Sequence, residues 1–266
     1  MKIQLLPAFA LFATTICQAA PTEEVHAAAR KLGDAPNYTW VTTTKMTAGG
    51  TEVSFGSGTT TGKTAKDGFT LLSRETQNGA MQTVRKGEQM AMQNPQSGEW
   101  MSMEEMRAQF ANRGGGGGAA PGGAAGARGT SGRGSSGRGG TMFGGTSMTP
   151  ADEITALIAG AKDLKAADGV IAGTLSPEAI AQRLSFSGRG GRSGGGEAPP
   201  APKNASGSVK FWVKNGALVK YEYQVKGTVA GRDGEAREVE RTSTTEIKDI
   251  GSTTIEVPEA AKKKLG

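Results

Sequence analysis

The chain has 266 residues, a formal net charge of +6, one cysteine, one histidine and 42 glycines. A lone histidine with a lone cysteine supplies neither a usual zinc ligand set nor a nucleophile–histidine triad, so enzymes of those classes are not supported and no cofactor is expected. Arg113, Arg128, Arg133, Arg138, Arg189, Arg192 and Lys203, set against Glu197, give two Gly-rich stretches all of the excess charge, so the high pI says little about a folded surface.

Met1-Lys2, an apolar run from Ile3 to Ile16 and the small-x-small ending Cys17-Gln18-Ala19 have the layout of a secretory signal. Cleavage is expected after Ala19, because cutting one residue later would leave Pro21 at the first mature position. The run falls short of the ~20 residues that a spanning helix needs. The alternative is a lipoprotein signal with Cys17 acylated, which is the one route to membrane association, although Thr14-Thr15-Ile16 lacks the residues expected before an acylated cysteine. A periplasmic or secreted protein follows, with no disulfide once Cys17 is removed.

After the signal, Thr22 is expected to cap a short helix whose Val25, Ala28, Ala29 and Leu32 share a face before Gly33. Tyr38, Trp40, Thr42, Thr44 and Met46 then alternate as a strand. Val53 with Phe55, Phe69 with Leu71, Met81 to Arg85, and Gln89 to Gln93 read as further short strands separated by Gly-containing turns. Trp100 closes this block, and Ser102 with Glu105 forms a capping box for a helix to about Asn112.

Residues 113–148 are Gly, Ala, Ser and Arg with almost nothing to bury, and are expected to be a disordered linker, as are the Gly- and Pro-rich residues 187–206. Between them, Thr149-Pro150 starts a helix through Ile154, Leu157 and Ile158. Val170 to Leu175 reads as a strand, and Ser176-Pro177 starts another helix through Ile180 and Leu184.

The strongest strand signal is the hairpin from Val209 to Val229. Val209, Phe211 and Val213 alternate with polar residues, and so do Val219, Tyr221, Tyr223 and Val225. A two-residue Asn215-Gly216 turn would set Phe211 opposite Lys220. A three-residue loop, Lys214 to Gly216 with a bulge, sets Phe211 opposite Val219 and Val209 opposite Tyr221, and is the register expected here. Val239 to Ile247 is a Thr-rich strand, Thr253-Ile255-Val257 a last one, and Glu259 to Gly266 a frayed basic tail.

The expected organisation is a signal at 1–19 and one α+β domain in three parts, 20–112, 149–186 and 207–258. Linkers at 113–148 and 187–206 interrupt it, and a tail at 259–266 follows. The expected fold is a curved antiparallel sheet, a half-barrel, with helices packed on one face. Flexible insertions cost only logarithmically in loop closure, so a single domain tolerates both.

The Tyr-x-Trp strand after an N-terminal helix, Leu218-Val219-Lys220-Tyr221-Glu222-Tyr223, Thr242-Ser243-Thr244-Thr245 and the ending Ile255-Glu256-Val257-Pro258 resemble the LolA/LppX-like periplasmic lipoprotein carriers and related lipoproteins. The resemblance covers about Thr22 to Asn112 and Thr149 to Leu265 at the level of layout. It implies a half-open sheet roofed by helices with an apolar cavity for acyl chains. The two Gly-rich insertions and a strand face poor in large aliphatics depart from that pattern.

Trp40, Met90, Met92, Phe211, Tyr221 and Tyr223 are the bulkiest residues on the inferred inner face and form the expected lining of an apolar site. The methionines at 81, 90, 92, 101, 103 and 106 suit adaptable core filling; a pliable lining for an apolar ligand or soft thioether binding of Cu(I) are the other readings. Arg-Gly-Gly at Arg113, Arg138 and Arg189 lacks the interleaved aromatics of nucleic-acid tails, so no nucleic acid is expected. Glu23-Glu24 and Glu104-Glu105 are first-turn helix partners, and no catalytic residue or metal ligand is expected. Two functions remain open: an exported, non-enzymatic protein that binds a lipid or other hydrophobic small molecule, or an envelope scaffold with a filled core that binds a protein partner.

Overall fold

The computed structural model describes residues 20–54, 57–65, 67–76, 79–114, 148–185, 201–230 and 235–265. The expected signal at 1–19, Phe55, nearly all of the expected linker at 113–148 and residues 187–200 of the second lie outside these residues. In chain order the elements are α1 (Pro21–Gly33), β1 (Tyr38–Ala48), β2 (Thr51–Glu52), β3 (Gly58–Thr64), β4 (Phe69–Thr76), β5 (Gly79–Lys86), β6 (Gln89–Gln93), β7 (Trp100–Ser102), α2 (Met103–Gly114), α3 (Pro150–Ala159), β8 (Ala161–Ala167), β9 (Val170–Leu175), α4 (Pro177–Ser185), β10 (Lys203–Lys214), β11 (Ala217–Ala230), β12 (Ala236–Lys248) and α5 (Glu259–Lys264).

All twelve strands join one antiparallel sheet in the order β7-β6-β5-β4-β3-β1-β12-β11-β10-β9-β8, with β2 beside β1. Two meanders, β3 to β7 and β8 to β12, are therefore stitched together by a single pairing of β1 with β12. Its register runs from Thr39↔Lys248 to Ala48↔Val239.

Because side chains alternate along a strand, the registers fix which residues share a face. One row runs Ile171, Phe211, Tyr221, Thr245, Thr42. A parallel row on the same face runs Ile247, Trp40, Gly62, Leu72, Thr83, Met92, Met101. This inner face carries the main core. Val25, Ala28, Ala29 and Leu32 of α1, Ile154, Leu157 and Ile158 of α3, and Ala179, Ile180 and Leu184 of α4 bury against it. Burial of each large apolar side chain contributes about 1.5–3 kcal/mol, which offsets the ordering of the long strands beneath.

The helices follow local rules. Thr149 caps α3 by accepting from Asp152 N–H at 3.3 Å, and Pro150 occupies the first turn, where no N–H is needed. Ser102 and Glu105 form the reciprocal box at α2, at 2.8 and 3.2 Å. For α1 the cap differs from expectation: the helix begins at Pro21, preceded by Ala20 with no side-chain cap, because proline's fixed φ suits that position. Two glycines let α4 lie close to the sheet. A Cβ on Gly227 would come within 2.8 Å of Leu184, and one on Gly207 within 2.9 Å of Ile180.

The main hairpin corrects the expected register. Asn215 and Gly216 both have positive φ, 52° and 68°, forming the two-residue turn that Asn-Gly favours. Lys214 pairs with Ala217 and Val213 with Leu218, and a bulge then brings Trp212 opposite Lys220, Phe211 opposite Tyr221 and Val209 opposite Tyr223. The bulge resolves the conflict that argued against this turn. It shifts the inward position from Val219 to Leu218, which is buried, and leaves the tyrosines facing inward.

Five further stretches depart from the sequence pattern. Strand β3 (Gly-Thr-Thr-Thr-Gly-Lys-Thr) has no large apolar residue, yet it pairs with β1 and β4 because Gly62 leaves room for the Trp40 indole. Strand β8 was not anticipated either, its residues being mostly exposed at the sheet edge. Strand β10 begins at Lys203, inside the expected linker of 187–206. The expected strand at Thr253–Val257 does not form; Thr253 N–H instead donates to Asn37 Oδ1 at 2.8 Å. The expected tail is α5, whose Ala261 and the following Leu265 are buried with Phe69, Val84, Ala91 and Trp100. By register these residues of β4 to β6 lie on the opposite, outer face. Helices α1, α3 and α4 thus cover the inner face of one sheet half, while α5 closes the outer face of the other.

Candidate functional site

All six residues expected to line an apolar site lie on the inner face, but in two different surroundings. Phe211, Tyr221 and Tyr223 stand under α1, α3 and α4 and are at most 3% exposed, in a packed core. Trp40 stands at the seam between the halves, tilted against Tyr38 at 5.5 Å between ring centroids. Met92 is buried and Met90 half-buried on β6, at the far end, where the helix α2 packs on β6 and β7.

Methionines gather at this far end. Met92 lies directly opposite Met101, Met90 sits two residues along the same face, and Met81 is on the inner parity of β5. Met106, three residues after Met103 on α2, is also buried. Thioether side chains have several rotatable bonds and adapt to irregular space, so this end of the face is the more compliant one. Among the described residues no group of three or more His, Cys, Asp or Glu side chains could hold a metal ion. His26, on α1, is half-buried.

The roofed half contains a polar thread that the sequence did not single out. Tyr221 O–H donates to Glu153 Oε2 of α3 at 2.6 Å, and the hydroxyls of Thr42 and Thr245 bond at 2.8 Å and those of Thr44 and Ser243 at 3.3 Å across β1 and β12. Burial pushes the Tyr221 hydroxyl well above its ordinary pKa, and the neighbouring Glu153 carboxylate pushes it the same way. Burial and Glu153 also raise Tyr223, with Arg241 and Arg183 acting in the other direction. Arg183 of α4 and Arg241 of β12 both stack on the Tyr223 ring, 5.0 and 5.9 Å from its centroid. A signal for Arg241 was available, since it occupies an inward position in the run Val239, Arg241, Ser243, Thr245, Ile247. Glu153 gave none, standing one place beside the apolar stripe of its helix.

One open hollow lies on the opposite face and a second at the far edge of the sheet, where Met101 joins its lining. The first, of about 630 Å³, is lined by Lys165, Asp168, Val170, Ala172, Lys210 and Trp212, where Lys220 stacks on Trp212 at 4.7 Å. The other, about 560 Å³, lies between β7, α2 and α5 beside Trp100, Glu105 and Lys264. No helix among the described residues is long and apolar enough to cross a membrane.

No protein-family model matches the chain, and no curated protein matches it in sequence. Solved structures do. LprF from Mycobacterium bovis is similar at a TM-score of 0.40 and 9% identity, covering 91% of this chain and 97% of its own. A LolA superfamily protein from Nitrosomonas europaea is similar at 0.33 and 8%, covering 94% and 98%. A DUF1329 family protein from Desulfovibrio piger is similar at 0.31 and 10%, covering 91% and 97%. Each of the three alignments spans more than nine-tenths of this chain.

Proposed function

We propose that the protein is an exported, non-enzymatic binding protein that takes a lipid or another hydrophobic small molecule on the inner face of its sheet. The observation that supports this reading is the uneven roofing of one continuous inner face, apolar at both ends and crossed by hydroxyls at the seam. Helices α1 and α4 pack on β8, β10 and β11, and α2 packs on β6 and β7. Trp40, Leu72, Met90 and Met92 lie along the stretch from the seam to the methionine end. An acyl chain entering there would meet side chains that can rearrange at little cost. Phe211, Tyr221 and Tyr223 would form the deep end, reached by a ligand only when α1, α3 and α4 lift. Export is supported by the composition of residues 1–19.

The second reading, a scaffold with a filled core that engages an envelope protein, is favoured by the near-complete burial of those three aromatics and by hollows that open elsewhere. The two are separated by native mass spectrometry of the mature protein and by titration with an uncharged naphthylamine dye and a fluorescent fatty acid. A co-eluting lipid, or saturable binding of the dye that Met90→Asp and Met92→Asp each weaken by about tenfold or more, supports the first reading. Neither lipid nor saturable binding sinks it and leaves the scaffold.

A further inference from the structure

We infer that Arg183 and Arg241 form a binding site for a phosphate group, on the inner face beside the Tyr223 ring. The inference stands on its own, whatever occupies the apolar stretch. Both guanidiniums lie within 6 Å of the centre of one ring, that of Tyr223. Neither has a carboxylate partner among the described residues. Arg183 donates one hydrogen bond, to the carbonyl of Ala179 in its own helix at 3.3 Å, and the Nε–H of Arg241 is buried with no acceptor at all.

Two cations held at one ring in a half-buried place, neither with an ion-pair partner, oppose folding through their repulsion and through the lost hydration of each. A buried guanidinium N–H without an acceptor adds a desolvation cost. Glu153 is the carboxylate whose charge reaches this ring; it accepts from the Tyr221 hydroxyl and, among the described residues, pairs with neither arginine, so it offsets at most one of the two positive charges. The surroundings do not relieve the imbalance. Met46 and Val225 stand opposite Arg241 on the neighbouring strands, and both are buried and apolar.

An anion from outside would supply what is missing. Guanidinium groups present planar forks of N–H donors that match oxyanions in pairs. A phosphate carries close to two negative charges near neutral pH and three or more acceptor oxygens, enough to answer both arginines. A single carboxylate would leave one positive charge uncompensated. The phosphate can be free, or it can be the head of an amphiphile whose chain runs along the apolar face, and both sources present the same chemistry to the two arginines.

The test uses the full mature chain, titrated calorimetrically with sodium phosphate and separately with dodecyl phosphate below its micellar concentration, with dodecyl maltoside as the uncharged control. Thermal melts run alongside, because a ligand that binds only the folded state raises its midpoint. Saturable binding of inorganic phosphate with a raised midpoint, weakened by about tenfold or more in Arg183→Gln and in Arg241→Gln but not in the exposed-site control Arg107→Gln, establishes the site with a free anion. Dodecyl phosphate binding with the same dependence, and no response to inorganic phosphate or the maltoside, establishes it as a headgroup site. Silence with both phosphates in the unaltered chain, or binding that both glutamine variants retain in full, overturns it. Dye binding that survives while both phosphates fail would leave the apolar reading intact and this one refuted.

Discussion

The two halves of the sheet solve the same problem in opposite ways. In the half from β8 to β12 the three central strands β10 to β12 are long, the inner face is rich in aromatic and branched side chains, and three helices cover it. From β3 to β7 the strands are short and carry Thr, Gly and Met on that face, while their best-packed cluster lies on the outer face beneath α5. The first half is held by dense packing against a roof. The second is held by the β-ladder, the outer cluster and flexible thioethers, which leaves its inner surface the more adaptable of the two.

That contrast predicts unequal responses to deletion of side-chain volume. Phe211→Ala should cost about 3–5 kcal/mol in urea unfolding, because the helices above cannot fully collapse onto the void, whereas Met92→Ala in the other half, where neighbouring thioethers can refill the gap, should cost nearer about 2 kcal/mol. Equal costs would show that the halves are packed alike. Leu265→Ala should cost about 2–5 kcal/mol and should accelerate amide exchange in β4 to β6 well before β10 and β11. Acceleration spread evenly over the sheet would mean that α5 does not hold one half in particular. The smallest effect is alkaline. Tyr221 and Tyr223 have raised pKa values in the folded state, so their neutral forms contribute stability that is intact below about pH 10. Above that point the unfolded chain loses these protons first, and the midpoint should fall faster with pH than it does in Tyr221→Phe. A parallel decline in the two proteins would remove Tyr221 from the account.

The same contrast explains what could be read from residue order. The inner faces of β1, β11 and β12 were legible because apolar residues alternate there with polar ones, and α3 and α4 because a cap or Ser/Thr-Pro start precedes an apolar stripe. Strand β3 was not, since its seven residues carry no period; it is specified by the indole of Trp40, which needs a glycine beneath it. The hairpin register was misread at Val219 because a bulge reconciles a tight turn with a continuous apolar face, and alternation alone cannot see an extra residue. The helix α5 was hidden for a related reason. Ala261 and Leu265 look like an end too sparse to bury anything, and their partners Phe69, Val84 and Ala91 lie far back in the chain. Of the site, the aromatic and methionine positions were visible as inward residues. The Arg183–Tyr223–Arg241 stack was not, because it joins three elements whose proximity is a product of the fold.

The seam of β1 with β12 ties Thr42 to Thr245, 203 positions apart. Local hairpins can zip early on either side, but the molecule has no joined sheet until its final strand finds its first, and so much long-range pairing makes for slow folding. During that wait the edges of β1 and β12 are bare templates for other chains, and a helper that shields them would be most valuable at that moment.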